Sequence, residues 1–313
     1  MSRKNTVSHD YMSDNAHFAD VFNYYVYDGK QVIRPDELEE MDPTEEAVIK
    51  KLETIVTKNR IRDILKGVTI KTDGRITYAV LGIENQSDVH YGMPVRNSLY
   101  DALDYAAQVA DIAKDNRRRK VTETSAEFLS GFMKEDRIRL VITLVMNWSD
   151  KRWDGPLTLS EMMEDVDERL KPFINDYRMN LIDPHSIDDF EKFRTELGDV
   201  LEFIRRQNRN EDLREMIEKK GPEWSLDAQS VNVINTFTGV GFSTDVKEGE
   251  RIVMCKAIDE MMQESEKKGA ELVNKLNVIL LNTGRLDDLK KATEDPNYQK
   301  ELIKELVDNC KKE

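Results

Sequence analysis

Ile76-Thr77-Tyr78-Ala79-Val80-Leu81-Gly82-Ile83-Glu84-Asn85-Gln86-Ser87 decides how this chain is read. A short apolar run, rich in β-forming residues, ends abruptly in a carboxylate followed by amides. Just before it stands Lys71-Thr72-Asp73-Gly74-Arg75, whose Asp-Gly pair is a strong two-residue hairpin signal. Upstream, Ile64-Leu65-Lys66-Gly67-Val68-Thr69-Ile70 is a second β-like run headed by Asp63. Antiparallel strands lay the start of one beside the end of the other, so the hairpin sets Asp63 near Glu84. Glu84 and Gln86 are two residues apart and share a face. A Glu that ends a core strand can simply reach solvent. Here it follows a run that reads as buried on both faces, where a charge is costly unless paired or coordinated. Two carboxylates and an amide converging at one hairpin end are a candidate site for a hard divalent metal.

The flanks supply helices. Residues 15–27 read as a helix, with Ala19, Phe22, Tyr25 and Val26 close to one stripe and Asp28-Gly29 ending it. Asp20 lies inside it, either as a solvent-facing charge or within reach of a metal site packed on that helix. After the hairpin, Pro94 suits a first helical turn, and Val95, Leu99, Ala102, Ala106, Val109 and Ala113 step at helical spacing. Arg96, Tyr100 and Asp104 share a neighbouring face. Residues 139–146 (Arg-Leu-Val-Ile-Thr-Leu-Val-Met) read as a buried strand. Residues 34–51 read as an acidic loop with a short helix, 157–170 as helix-like and 177–183 as a short strand. Helices are expected at 187–208, 211–220, 250–281, 286–292 and 297–312. The segment 231–242 is β-branched yet set among helices and stays ambiguous. A composition shift near residue 206 divides the chain into 1–205 and a helical C-terminal region, 206–313. In the latter, an apolar stripe of Ile252, Cys255, Ile258 and Met261-Met262 either packs within the tail or joins a second copy.

The chain has 313 residues, long enough for two domains or one domain with an appendage. No apolar run approaches a membrane span, and the start, Met1-Ser2-Arg3-Lys4-Asn5, lacks a signal-peptide stretch. Cys255 and Cys310 are the only cysteines, and His9, His17, His90 and His185 have no metal-ligand spacing. The expectation is a reduced, cytoplasmic protein with no membrane partner. Lys and Arg number 47 against 61 Asp and Glu, a net charge of −14. Non-specific nucleic-acid binding by the whole surface is thereby disfavoured, but a local basic groove is not. Arg117-Arg118-Arg119-Lys120 is the densest basic run, and at a helix end it also serves as a dipole-favoured cap. No Walker loop, GxGxxG, zinc motif or nucleophile elbow occurs.

The order helix, Asp-bearing strand, hairpin, strand with Glu-x-Gln, helix, strand resembles the core of the PD-(D/E)XK, or restriction-endonuclease-like, superfamily. More specifically, Gly82-Ile83-Glu84-Asn85-Gln86-Ser87, Met93-Pro94-Val95-Arg96, Tyr100 and Trp153-Asp154-Gly155-Pro156-Leu157 resemble the Rpn family of recombination-promoting nucleases and transposase-like proteins. The likeness covers roughly residues 15–205 and continues weakly to Gly284-Arg285-Leu286-Asp287-Asp288-Leu289. It implies an α/β fold with a PD-(D/E)XK core and a divalent-metal-dependent DNA endonuclease. Asp63 and Glu84 would then be metal ligands, joined by the Asn85 carbonyl and, less firmly aligned, Asp20. Gln86 would stand where the superfamily usually has Lys. Mg²⁺, or another divalent cation such as Mn²⁺ or Ca²⁺, is the implied cofactor. DNA is the implied partner, with Arg60, Arg62, Arg96 and Tyr100 nearest to it. Two departures stand out: Gln86 carries no charge, and Met146-Asn147-Trp148-Ser149 replaces an aromatic-rich stretch. The competing readings are a catalytically silent binding or scaffold protein of the same fold, and a nuclease acting on RNA.

Overall fold

The computed structural model describes residues 2–41, 63–72, 75–247 and 249–308. The chain divides into two compact units, Met1–Met216 with Leu226–Gly239, and Ile217–Ser225 with Val240–Glu313. The division thus falls later than residue 205, and the first unit takes back a helix from beyond it.

The first unit begins with helices α1 (Arg3–Ser13) and α2 (Asn15–Tyr27), followed by strands β1 (Leu38–Glu40), β2 (Ile64–Thr72) and β3 (Arg75–Gln86). Then come helix α3 (Met93–Arg119), a short helix α4 (Ser125–Ser130), β4 (Leu140–Asn147) and β5 (Asn180–Ile182). The sheet order is β1-β2-β3-β4-β5. The first three strands form an antiparallel meander, and β4 and β5 add parallel to β3. This helix, meander, helix, parallel strand arrangement is the α/β PD-(D/E)XK-like core that the motif order predicts. Thr72 pairs with Arg75; Asp73 and Gly74, the expected turn, lie outside the described residues.

The central strands are apolar because both faces of the sheet are covered. On one face Leu65, Val80 and Val141 pack with Tyr105 of α3. On the other, Ile64, Leu81, Ile83 and Leu144 are buried. Lys66 shares that second face and is 1% exposed. Its Nζ donates to the Ser13 carbonyl at 2.6 Å and to Asn15 Oδ1, beneath the Phe18 ring. The ammonium so neutralises the C-terminal end of α1, while burial draws its pKa below the usual lysine value.

Two sequence expectations fail for local reasons, and one open segment is resolved. Residues 157–170 hold only a 3₁₀ turn, Ser160–Met162, and Thr158 bridges to Arg178. Met162, Met163 and Leu170 are exposed, so a helix there has no core to bury its face in. In 187–208 the helix starts only at Leu197 (α5, Leu197–Arg206). Asp183 and Asp189 bind the backbone N–H groups of His185 and Glu191 and hold two 3₁₀ turns ahead of it. The ambiguous 231–242 segment is mostly helix: after α6 (Asn210–Lys220), α7 (Ala228–Thr238) is capped by Asp227 and stopped by Gly239 at φ 74°. Its β-branched residues Val231, Val233 and Ile234 are fully buried, and tertiary packing overrides propensity.

The second unit is helical, as expected. Its long helix α8 (Met254–Asn282) packs with α9 (Leu286–Glu294) and α10 (Pro296–Ile303) through Leu276, Leu280, Ala292 and Leu302.

Candidate metal centre

Strands β2 and β3 stay in register to the point where Ile64 faces Ile83. Asp63, one residue earlier, therefore stands beside Glu84. Each carboxylate is held by the backbone at the other: Glu84 Oε1 accepts from the Asp63 N–H at 3.4 Å, and Asp63 Oδ2 accepts from the Asn85 N–H at 2.7 Å. Glu84 is 0% exposed, and its Oε2 also accepts from Arg96 Nη2 at 3.2 Å. Burial holds the Asp63 carboxyl above its usual range, against the Asn85 N–H and the charges of Arg96 and His9, which favour ionisation.

Arg96 lies in the first turn of α3. Burial works against its charge, but Glu84 and Tyr100 outweigh that, and its pKa stands above the ordinary arginine value. Its Nε donates to the Tyr100 hydroxyl at 3.0 Å. Tyr100 is itself buried, and desolvation and then the Glu84 charge push its phenol upward. Tyr100 was expected among the nucleic-acid contacts; in the structure it seats Arg96 from inside the core. Gln86, on the Glu84 face of β3, is 8% exposed and lies opposite Asn147 of β4.

Asn85 turns to the other face, where its Oδ1 accepts from Trp148 Nε1 at 2.8 Å. The Trp148 N–H in turn donates to the Gln86 carbonyl at 2.8 Å. The indole is stacked on Phe237 at 5.3 Å and meets the edge of Tyr11 at 6.4 Å. Trp148 thus fixes the backbone segment that carries the site. Neither it nor His9 is marked by sequence spacing: each lies more than sixty residues from Glu84 or on a separate helix.

The other expected residues are placed as follows. Asp20 does not join the pair. Its carboxylate accepts from the N–H groups of Arg194 and Thr195 and from the Thr195 hydroxyl, at 2.6–2.9 Å, bracing the turn that enters α5. Arg60 and Arg62 lie outside the described residues. Arg118 and Arg119 pair with Asp115, and Arg117 donates to the Ser130 carbonyl.

The donor set suits a hard cation. Mg²⁺ is held by one or two carboxylates while keeping several waters, and Asp63 with Glu84 provides two. Among the described residues no group of three or more His, Cys, Asp or Glu forms a richer cage. No helix of the described residues is long and apolar enough to cross a membrane. A family model described as a YhgA-like putative transposase matches residues 37–231, a span that includes all five strands, both carboxylates and Arg96. No curated protein and no solved structure matches the chain.

Proposed function

The chain belongs to the YhgA-like transposase family, and from that premise we propose that it is a divalent-metal-dependent DNA endonuclease whose cuts promote recombination. The observation that carries this reading is the juxtaposition, at the end of one hairpin, of the fully buried Glu84, which accepts from the Asp63 N–H, and the half-buried Asp63, which accepts from the Asn85 N–H. Two carboxylates side by side are costly unless cations offset them; Arg96 offsets one of the two charges, and a divalent ion would offset the other.

Asp63 and Glu84, with the Asn85 carbonyl, would hold Mg²⁺ or Mn²⁺. When bound, the ion supplies an activated water and offsets the charge that builds on phosphorus. Arg96 carries five donors in a rigid fork. It is the group that can pass from Glu84 to a phosphate oxygen, while Tyr100 keeps its Nε anchored. Gln86 replaces an ammonium with an amide, so it orients water through hydrogen bonds and adds no charge. Burial of Glu84 lowers the local dielectric and strengthens the interactions it makes.

Two features favour a second reading, a silent binding protein of the same fold: Arg96 already neutralises Glu84, and Gln86 offers no charge. Nicking of supercoiled plasmid in Mg²⁺ separates the two. The nuclease reading expects relaxation by the wild type, loss of at least ~100-fold on Glu84→Ala, and DNA cut in preference to an RNA of matched sequence. A purified wild type that leaves plasmid intact in Mg²⁺ and Mn²⁺ would overturn it in favour of the binding protein.

A further inference from the structure

Strands β3, β4 and β5 are parallel, so their carboxyl ends lie along one edge of the sheet. Open α/β sheets receive ligands at that edge. Glu84 and Gln86 occupy the β3 end. Gln86 faces Asn147 at the β4 end, and Asn147 Nδ2 donates to Asp183 Oδ1 at 3.3 Å just past β5. Asp183 Oδ1 also accepts the His185 N–H at 3.1 Å. A continuous line of contacts therefore runs from the carboxylate pair to His185, two strands away, or about 10 Å at ~4.8 Å per strand.

At His185 there is a cavity of about 390 Å³ lined by His185, Arg205, Arg206, Asn208, Arg209 and Asp212. Three guanidiniums and an imidazole face one carboxylate. Arg205 donates to the Ile187 carbonyl at 2.7 Å, and Arg206 is paired with Glu202 and Glu215 at 3.1 Å each. These two stand in the last turn of α5, where they also offset the helix dipole. That role accounts for neither the cavity nor His185, whose Nε2 is buried without a hydrogen-bond partner. A buried ring nitrogen left unpaired costs free energy that a ligand can return. Between the two sites, the loop after β4 exposes Lys151 and Arg152.

We infer that the His185–Arg209 cavity is a phosphate subsite that grips the backbone of a nucleic-acid strand whose scissile phosphate lies at Asp63 and Glu84. Arg209 makes the direct contact, because it is exposed and its neighbours Arg205 and Arg206 are already engaged. His185 donates from the buried side, and Arg206 is a positioning residue. This inference rests on the nuclease reading above.

The test is fluorescence anisotropy of a labelled DNA duplex with the full chain in EDTA, across a salt series, so that no cleavage enters. Loss of one phosphate contact should lower the slope of log K against log salt by ~0.9 and weaken binding ~8-fold at 0.1 M salt. Arg209→Ala should show that loss, Arg209→Lys should keep most of the slope, and Arg169→Ala, at an exposed residue paired with Asp167, should change nothing. Circular dichroism verifies that each variant is folded. Unchanged affinity and slope in Arg209→Ala would overturn the subsite. So would a variant that loses binding of inorganic phosphate yet keeps DNA, since the cavity would then take free anions only. If the slope falls as expected but the wild type never nicks plasmid in Mg²⁺, the nuclease reading fails while the subsite stands.

Discussion

At the scale of single residues, Asp63 gives the clearest pH signature. Burial raises its folded-state pKa above the unfolded value. Between those two values the folded chain binds more protons than the unfolded one, so stability falls as pH rises through that window. Asp63→Asn binds no proton in either state and keeps an acceptor for the Asn85 N–H. Urea midpoints measured in chelator should therefore fall less steeply with pH for Asp63→Asn, leaving it more stable than wild type near pH 7. A variant that is less stable there would mean that Arg96 more than compensates the ionised pair. Much of this site is legible in the sequence, because strand alternation and hairpin register bring Asp63, Glu84 and Gln86 together with no knowledge of tertiary contacts. The residues that hold them were not legible. Trp148 reaches Asn85 only because β4 lies beside β3 in space, and the Tyr100 hydroxyl accepts from Arg96 one helical turn away.

At the scale of elements, helices α2 and α5 show how an acidic residue can be misread. Asp20 sits on a helix near the predicted site, but four hydrogen bonds commit it to the turn at Arg194 and Thr195. Asp20→Ala should leave these partly buried donors unpaired and cost about 1–3 kcal/mol, while cleavage per folded molecule stays within about twofold. Activity lost at unchanged stability would return Asp20 to the metal site. Boundaries were least legible where side chains compete with the backbone. Asp183 and Asp189 bind their own neighbouring N–H groups and delay α5 by ten residues from the apolar onset at Ile187. The central strands β2, β3 and β4, by contrast, were legible to within about three residues, since burial on both faces forces an uninterrupted apolar run, whereas β1 (Leu38–Glu40), with Glu39 and Glu40 exposed, read as loop.

At the scale of the whole molecule, chain order and compactness part company. Helix α7 follows the composition shift near residue 206, yet it belongs to the first unit: Ser230 bonds the Tyr11 hydroxyl at 3.0 Å and Phe237 stacks on Trp148. A chain truncated after Arg205 loses both contacts and should fail to give a cooperative thermal transition, whereas one truncated after Gly239 should keep it. Equal transitions from the two would show that α7 is dispensable to the sheet unit. The net charge of −14 sets a further condition: any polyanion must approach along a local positive edge, and its binding must weaken steeply with salt. All of this rests on the claim that Asp63 and Glu84 form one divalent-cation site. Calorimetric titration of the metal-free protein with Mn²⁺ tests it most directly. One ion should bind per chain, and Asp63→Asn and Glu84→Gln should each weaken it at least ~100-fold, about 2.8 kcal/mol. Mn²⁺ binding that survives both substitutions at wild-type affinity would contradict the claim.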